Sequence, residues 1–306
     1  MFTFITLTYN HNEYIIEHLE SIRYQIENYG KGMQFKLILS DDNSKDNTID
    51  LVEDWIRKNP TLFKSIEVLK NKKNIGVVAN YLQATSYLDN EPYKLLAGDD
   101  LYYKNNIFEI IEILNEYDIV FTSVIDFDNF LVENSHHLNW LLSCKNTNKI
   151  KRMLSYENIF NAPGTFYNNK VIQNIELREF ISKYNWIEDF PSMFYLFNNT
   201  NPKYYVLKKP YIMYRNSVGI SSNNEKNEKK NQYLIEIELM RKDMKMKLYK
   251  YPKYLNFYYY YRKIEYIKME YFDSKINKEI KEYNLILEDE MNKAPAFLKM
   301  IKSIEK

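Results

Sequence analysis

Carboxylate and amide side chains gather where apolar runs end in this chain, a placement suited to cation-assisted chemistry on a polar ligand. Phe2 to Leu7 runs into Thr8-Tyr9-Asn10, Phe35 to Leu39 into Ser40-Asp41-Asp42-Asn43-Ser44, and Tyr93 to Ala97 into Gly98-Asp99-Asp100. Far downstream, Trp186-Ile187 precedes a further acidic pair, Glu188-Asp189. Hard divalent cations take oxygen ligands and are often held by one or two carboxylates together with phosphate oxygens. Asp99 and Asp100 supply such donors, and a cation there would offset charge growing on a departing diphosphate. Gly-Asp-Asp is also ordinary turn composition, so a surface turn is the competing reading. In the second cluster one aspartate can accept hydrogen bonds from a nucleotide base or ribose while its neighbour caps a helix; both can equally be caps. Tyr9 offers a ring face for a base, a contact worth about 1–3 kcal/mol in nucleic-acid systems. A lone half-buried aromatic is the bland alternative.

These residues act together only if the intervening elements bring them together. Ile15, Ile16, Leu19, Ile22 and Ile26 recur at helical spacing after the first run. Ile49, Leu51, Val52, Trp55 and Ile56 do so after the second, with Asp46 or Asn47 as N-cap. Ser65 to Leu69 reads as a third strand, Val77 to Thr85 as a helix, Ile107 to Leu114 as another, and Asp118 to Phe127 as a strand. Repeated βα units imply a mostly parallel sheet flanked by helices. In such sheets ligands bind beyond the carboxyl ends of the strands, where the first three clusters would meet. Tyr204 to Arg215 reads as a strand pair broken by Pro210, and the chain beyond Tyr233 as helical with breaks at Pro252 and Pro295.

Composition removes several classes of function. The 306 residues carry a formal net charge of +1, which makes no global case for nucleic-acid binding. Cys144 is the single cysteine, so an intrachain disulfide framework is impossible and a reducing compartment is expected. The first residues look like a strand rather than a signal peptide, and no long uninterrupted apolar stretch suggests a spanning helix. A cytoplasmic location is the expectation. Among the six glycines, Gly30-Lys31-Gly32 precedes a strand and lacks a third glycine, so it is no dinucleotide fingerprint. Residues Arg241 to Lys268 hold nine basic and two acidic side chains around Phe257-Tyr258-Tyr259-Tyr260-Tyr261. That suits peripheral contact with an anionic membrane face, or a helix burying tyrosines while its lysines stay in water. His136-His137 reads as an exposed loop pair, His11 as solvent-exposed, Trp186 as a pocket or core residue, and Cys144 as structural.

Taken in order, Thr8-Tyr9-Asn10, Asp41-Asp42-Asn43-Ser44 with Asp46 and Thr48, Asn74-Ile75-Gly76 with Asn80, Gly98-Asp99-Asp100 and Glu188-Asp189 resemble the motifs of family 2 glycosyltransferases. The resemblance covers about the first 220 residues. It implies the GT-A fold, a Rossmann-like α/β domain expected over 1–222, followed by a helical C-terminal region over 223–306. It further implies that Thr8, Tyr9, Asn10, Asp42, Asn74, Gly76 and Asp99 line the site of a nucleotide-sugar donor, with Asp42 and Tyr9 at the base. Asp100, with Asp99, would hold Mn²⁺ or Mg²⁺. Asp189 would be the general base of an inverting transfer to a saccharide acceptor, which in this family is often lipid-linked. The family commonly uses UDP-sugars and builds bacterial capsule or lipopolysaccharide.

Two departures from the family pattern stand out. Ala97 replaces the usual first aspartate of the DxD motif, and no histidine follows Tyr214-Arg215. Arg215 is then a candidate partner of the diphosphate through its planar donors, or a member of an ordinary surface ion pair. A sugar nucleotidyltransferase and a non-catalytic scaffold that keeps the fold are the competing readings of the whole chain.

Overall fold

A computed structural model describes residues 1–127, 132–133, 136–144, 146–155, 158–216, 228–243 and 274–304. In chain order the elements are β1 (Phe2–Thr8), α1 (Ile15–Tyr29), β2 (Phe35–Asp41), α2 (Thr48–Lys58), β3 (Ser65–Lys70), α3 (Val77–Thr85) and β4 (Tyr93–Ala97). There follow β5 (Leu101–Tyr102), α4 (Glu109–Leu114), β6 (Ile119–Phe127), β7 (Val132–Glu133), α5 (His136–Ser143), α6 (Thr147–Leu154) and β8 (Thr165–Tyr167). The last are α7 (Asn169–Ile172), α8 (Ile175–Ile181), α9 (Asp189–Asn199), β9 (Tyr204–Arg215), α10 (Glu228–Asp243) and α11 (Ser274–Ile304).

The first four strands form a parallel sheet in the order β3-β2-β1-β4. The central strand β1 is covered on both faces, which is why it reads as a nearly unbroken apolar run rather than an alternation. Phe2 and Phe4 pack with Leu37, Leu39, Ile15, Leu19 and Trp55 on one side. Ile5 and Ile38 pack with Val78, Tyr81 and Ala84 on the other. A second, mixed sheet runs β5-β9-β6-β7, with β8 on β6. Lys94 of β4 joins the two: its ammonium donates to the Thr165 carbonyl at 2.7 Å and lies 4.4 Å from the Phe166 ring centre. Burial pulls its pKa down to about 7.

Some local expectations are corrected. Tyr204–Arg215 is one strand, parallel to β6, whose register shifts beside Thr122 and Ser123. That irregularity accommodates Pro210, which has no N–H for the ladder. α11 runs through Pro295 without ending, held by the buried Ala294 and Phe297 on either side. His136 and His137 open a helix instead of lying in a loop. Asp46 serves the start of α2 from outside the cap position, its carboxylate accepting the Thr48 N–H at 3.0 Å, while the Asn47 side chain makes no cap bond. No helix of the described residues is long and apolar enough to cross a membrane. Most of the basic aromatic stretch 241–268, including Pro252, lies outside the described residues.

Candidate active site

Parallel pairing of β2, β1 and β4 brings the three N-terminal clusters to one edge. The Asp42 N–H donates to the Thr8 carbonyl at 2.9 Å, and the Gly98 N–H to the Leu7 carbonyl at 2.9 Å. Side chains then sew the first two loops together. Asn10 N–H donates to Ser44 Oγ at 2.8 Å, Lys45 N–H to Asn10 Oδ1 at 2.7 Å, and His11 N–H to Thr48 Oγ1 at 2.9 Å. Asn12 N–H donates to Asp46 Oδ2 at 3.2 Å. Asn10 and Asn43 sit at φ of 56° and 64°, a left-handed conformation asparagine tolerates better than most residues. An open cleft of about 470 Å³ beside this seam is lined by Asn10, Asn12, Glu13, Tyr14, Lys45 and Asp46.

The adjacent aspartates have different work. Asp41 binds its own turn, accepting the Ser44 N–H at 2.9 Å. Asp42, buried, receives the Ile75 N–H at 2.7 Å on one oxygen and the Gly76 N–H at 2.9 Å on the other, with Asn71 Nδ2 at 3.2 Å. It thereby fixes the loop bearing Asn74 against the edge. Gly76, at φ of 89°, takes a backbone conformation that L side chains rarely adopt. Asn80 sits one layer down, bridging the Ser40 hydroxyl (2.6 Å) and the Ser40 carbonyl (3.1 Å). Tyr9 is half-buried, and Asn10 and Asn74 are exposed at the rim.

Gly98-Asp99-Asp100 is gripped from two sides. Arg215 at the end of β9 donates its N–H to Asp100 Oδ1 (2.9 Å) and its Nε–H to the Asp99 carbonyl (2.9 Å). Its guanidinium also pairs with Glu17 at 2.7 Å and lies between the Tyr14 and Phe127 rings, 4.5 and 4.4 Å from their centres. Arg215 is 4% exposed and already committed to Glu17 and the turn, so this is a buried ion pair rather than a surface one. On the other side, His18 Nδ1 lies 2.7 Å from the Asp100 carbonyl and Nε2 lies 2.8 Å from Thr6 Oγ1. A carbonyl only accepts, so Nδ1 carries the proton and Nε2 accepts from the threonine. Burial pushes the His18 pKa down to about 4, which keeps that neutral arrangement.

Burial raises the Asp100 carboxyl well above the usual range, and the Asp99 charge beside it adds to the rise. The Arg215 N–H and the Arg215 and Lys94 charges offset part of that rise. Among the described residues no group of three or more histidine, cysteine or acidic side chains is arranged to hold a metal. Asp99 and Asp100 are thus the carboxylates of this edge that could supply oxygen ligands to a cation, with one Asp100 oxygen already accepting the Arg215 N–H. Gly98 leaves no room beside it: a methyl group there would stand 2.9 Å from Ile15 Cδ1 and 3.0 Å from His11 Nδ1. His11 is thus partly enclosed against the turn rather than facing solvent.

Glu188 and Asp189 stand at the start of α9, half-buried. Asn158 Nδ2 donates to Asp189 Oδ2 at 3.1 Å. Burial raises both acids, Glu188 to about 8 with help from the Asp189 charge. The segment leading to them docks on the N-terminal rim: Asn185 O accepts the Val78 N–H at 3.1 Å, and a Cβ on Gly76 would lie 3.2 Å from it. Asp42 and the Asn185–Asp189 segment therefore share the loop at Gly76. Trp186 is half-buried against the main core, and Cys144 is buried. Sequence reasoning missed Glu17, His18, Asn71 and Asn158. Glu17 and His18 left a faint sign as charged and polar residues on the helix face that also carries Ile15 and Leu19.

Polar and acidic side chains thus gather at the carboxyl ends of parallel strands, the place where open α/β sheets bind their ligands. The chain belongs to glycosyl transferase family 2, whose profile matches residues 3–175, and it is a glycosyltransferase. It is 27% identical to the dTDP-rhamnosyl transferase RfbG of Shigella flexneri over 229 residues, 69% of this chain and 73% of that protein. Among solved structures it resembles S. aureus TarS residues 1–349, with a TM-score of 0.52 at 18% identity over 81% of this chain and 72% of that one. The TarS complex with UDP gives 0.51 at 19% identity over 81% and 72%. The complex with UDP-GlcNAc gives 0.50 at 19% identity over 75% of this chain, which spans 60% of that one. That likeness is one of fold, the GT-A type.

Proposed function

We propose that this enzyme transfers a hexose or aminohexose from a pyrimidine nucleoside diphosphate to a hydroxyl of a saccharide acceptor with inversion, in the assembly of a bacterial surface polysaccharide. The observation that carries the reading is the shared edge at which Thr8-Tyr9, Asp42 and Asp99-Asp100 lie, closed at Gly76 by the segment that ends in Asp189. UDP and dTDP donors are both consistent with it, since RfbG is a dTDP-rhamnosyl transferase and TarS was solved with UDP-GlcNAc. Tyr9 and the loop fixed by Asp42 would receive the base, and Asn74 the rim of the donor.

In this reading the acceptor oxygen attacks the anomeric carbon while the bond from that carbon to the diphosphate oxygen breaks, its electron pair leaving with the diphosphate. Asp189 takes the acceptor's proton. A carboxylate whose pKa is raised by burial is a better base than an exposed one. Its setting beside an acid that holds its proton, Glu188, leaves a single charge at that corner. Asp99 and Asp100 would hold a divalent cation, which supplies charge neutralisation for the diphosphate. Arg215 serves by holding the Asp99-Asp100 turn rather than by touching the donor.

The test is incubation with UDP- and dTDP-sugars and oligosaccharide acceptors, with Mn²⁺, Mg²⁺ or EDTA. The expected result is release of nucleoside diphosphate with an acceptor product one sugar heavier. Asp189→Asn should slow transfer roughly 10²–10⁴-fold while donor affinity stays within about twofold of wild type. Pyrophosphate release from a nucleoside triphosphate would instead indicate a nucleotidyltransferase, and donor binding without turnover a scaffold.

A further inference from the structure

Glu236 lies in α10, beyond the span matched by the family profile, yet it reaches the segment that ends in Asp189. Its carboxylate takes two consecutive backbone amides: Oε2 accepts the Asn185 N–H at 2.8 Å and Oε1 the Trp186 N–H at 2.7 Å. The side chain is 8% exposed, and the neighbouring Met240 on the same helix is fully buried, so the acceptor is seated in the core and not free to follow the loop. The Asn185–Trp186 peptide is therefore fastened at both ends, its N–H (of Trp186) to Glu236 of α10 and its carbonyl (of Asn185) to the Val78 N–H of α3. Buried Ile187 then leads directly into Glu188-Asp189. Asn185 is exposed and Trp186 half-buried, so this backbone runs near the surface although its acceptor is buried. A carboxylate drawn from a buried helix face costs desolvation that water would not, and what it adds is a fixed peptide orientation.

We propose that Glu236 is a positioning residue of the transfer reaction: it sets the 185–186 backbone so that Asp189 faces the acceptor hydroxyl. The inference rests on the base assignment made above. Glu236→Gln in the full chain keeps shape but turns an NH₂ toward one of the two amides. A displacement of the base of about 1 Å is worth on the order of 10²-fold in rate. The expected result is a kcat lowered roughly 10- to 100-fold, with donor KM and UDP affinity within about twofold of wild type. In the Asp189→Asn background the same change should cost nothing more, because residues that act through one group are not additive. Faster amide hydrogen exchange at 185–189 should accompany it. An unchanged kcat, a parallel loss of donor affinity, or a full additional loss in the double variant would overturn the proposal. If Glu236→Gln does not fold, Glu236→Asp, which keeps the charge but draws it back by one methylene, is judged by the same readouts. If the wild type transfers no sugar, the failure belongs to the functional reading. Hydrogen exchange then decides this one alone, and unchanged protection at 185–189 in Glu236→Gln rejects it.

Discussion

Glu188 and Asp189 share one half-buried corner with the rings of Tyr81 and Tyr167. With its pKa near 8 against an ordinary value of 4.5, Glu188 holds its proton in the folded protein where the unfolded chain has lost it. Folding then takes up a proton over that window. The stability Glu188 contributes is fully present below about pH 4.5 and is lost as the pH rises through about 8. Other buried groups titrate too: His18, lowered to about 4, and Lys94, lowered to about 7, both act in the opposite sense. The comparison that isolates Glu188 is therefore wild type against Glu188→Gln. The melting temperature of the wild type, relative to the variant, should decline between pH 5 and pH 8. A difference that is flat with pH would show that Glu188 is ionised in the folded state.

Arg215 joins three elements, α1 through Glu17, the turn after β4 through Asp99 and Asp100, and β9 through its own backbone. Arg215→Met would leave buried Glu17 with Lys302, 3.5 Å away and largely exposed, as its remaining cation among the described residues, a loss of about 3 kcal/mol at the low end for a broken buried pair. Adding Glu17→Gln should recover most of that stability, as measured by urea unfolding, but not the transfer rate, since the Asp99 carbonyl remains ungripped. The elements themselves were largely legible. Strands β1 to β4 and their helices follow from apolar runs and helical spacing, and these patterns are set by burial on the sheet's two faces. The Asn10, Ser44, Asp46 and Thr48 motif was legible as a motif, although its observed work is to join two loops. Partnerships such as Arg215 with Glu17, or His18 with Asp100, were not legible, because they join residues far apart in the chain and leave no local periodicity. Pro210 and Pro295 misled for a related reason. A proline penalises an isolated strand or helix, but a bulge or firmly packed neighbours can absorb it.

At the scale of the molecule, the C-terminal helices belong to the same core as the sheets. Tyr283, Leu287, Phe297 and Ile301 of α11 are buried in the main cluster, with Phe297 edge-on to Tyr24 and Tyr103 at 5.2 and 5.3 Å. Tyr283 Oη lies 2.9 Å from Ser123 Oγ, and Tyr103 Oη donates to the Glu290 carbonyl at 2.9 Å. Each large apolar side chain so buried contributes about 1.5–3 kcal/mol, and four of them approach the entire 5–15 kcal/mol stability of a typical domain. A chain ended after Ser222 should therefore be recovered as aggregate or with no cooperative melt by circular dichroism. A soluble truncation with a sharp transition would contradict that. The grip on the Asp99-Asp100 turn has a temporal side as well. Its partners leave the ribosome in order: Glu17 and His18 before the turn itself, Arg215 more than a hundred residues after it, and the α11 residues that cover Tyr24 and Tyr103 later still. A nascent chain can pair β1 with β2 as soon as both have emerged, but the Asp99-Asp100 turn gains its Arg215 clasp only once β9 has been made.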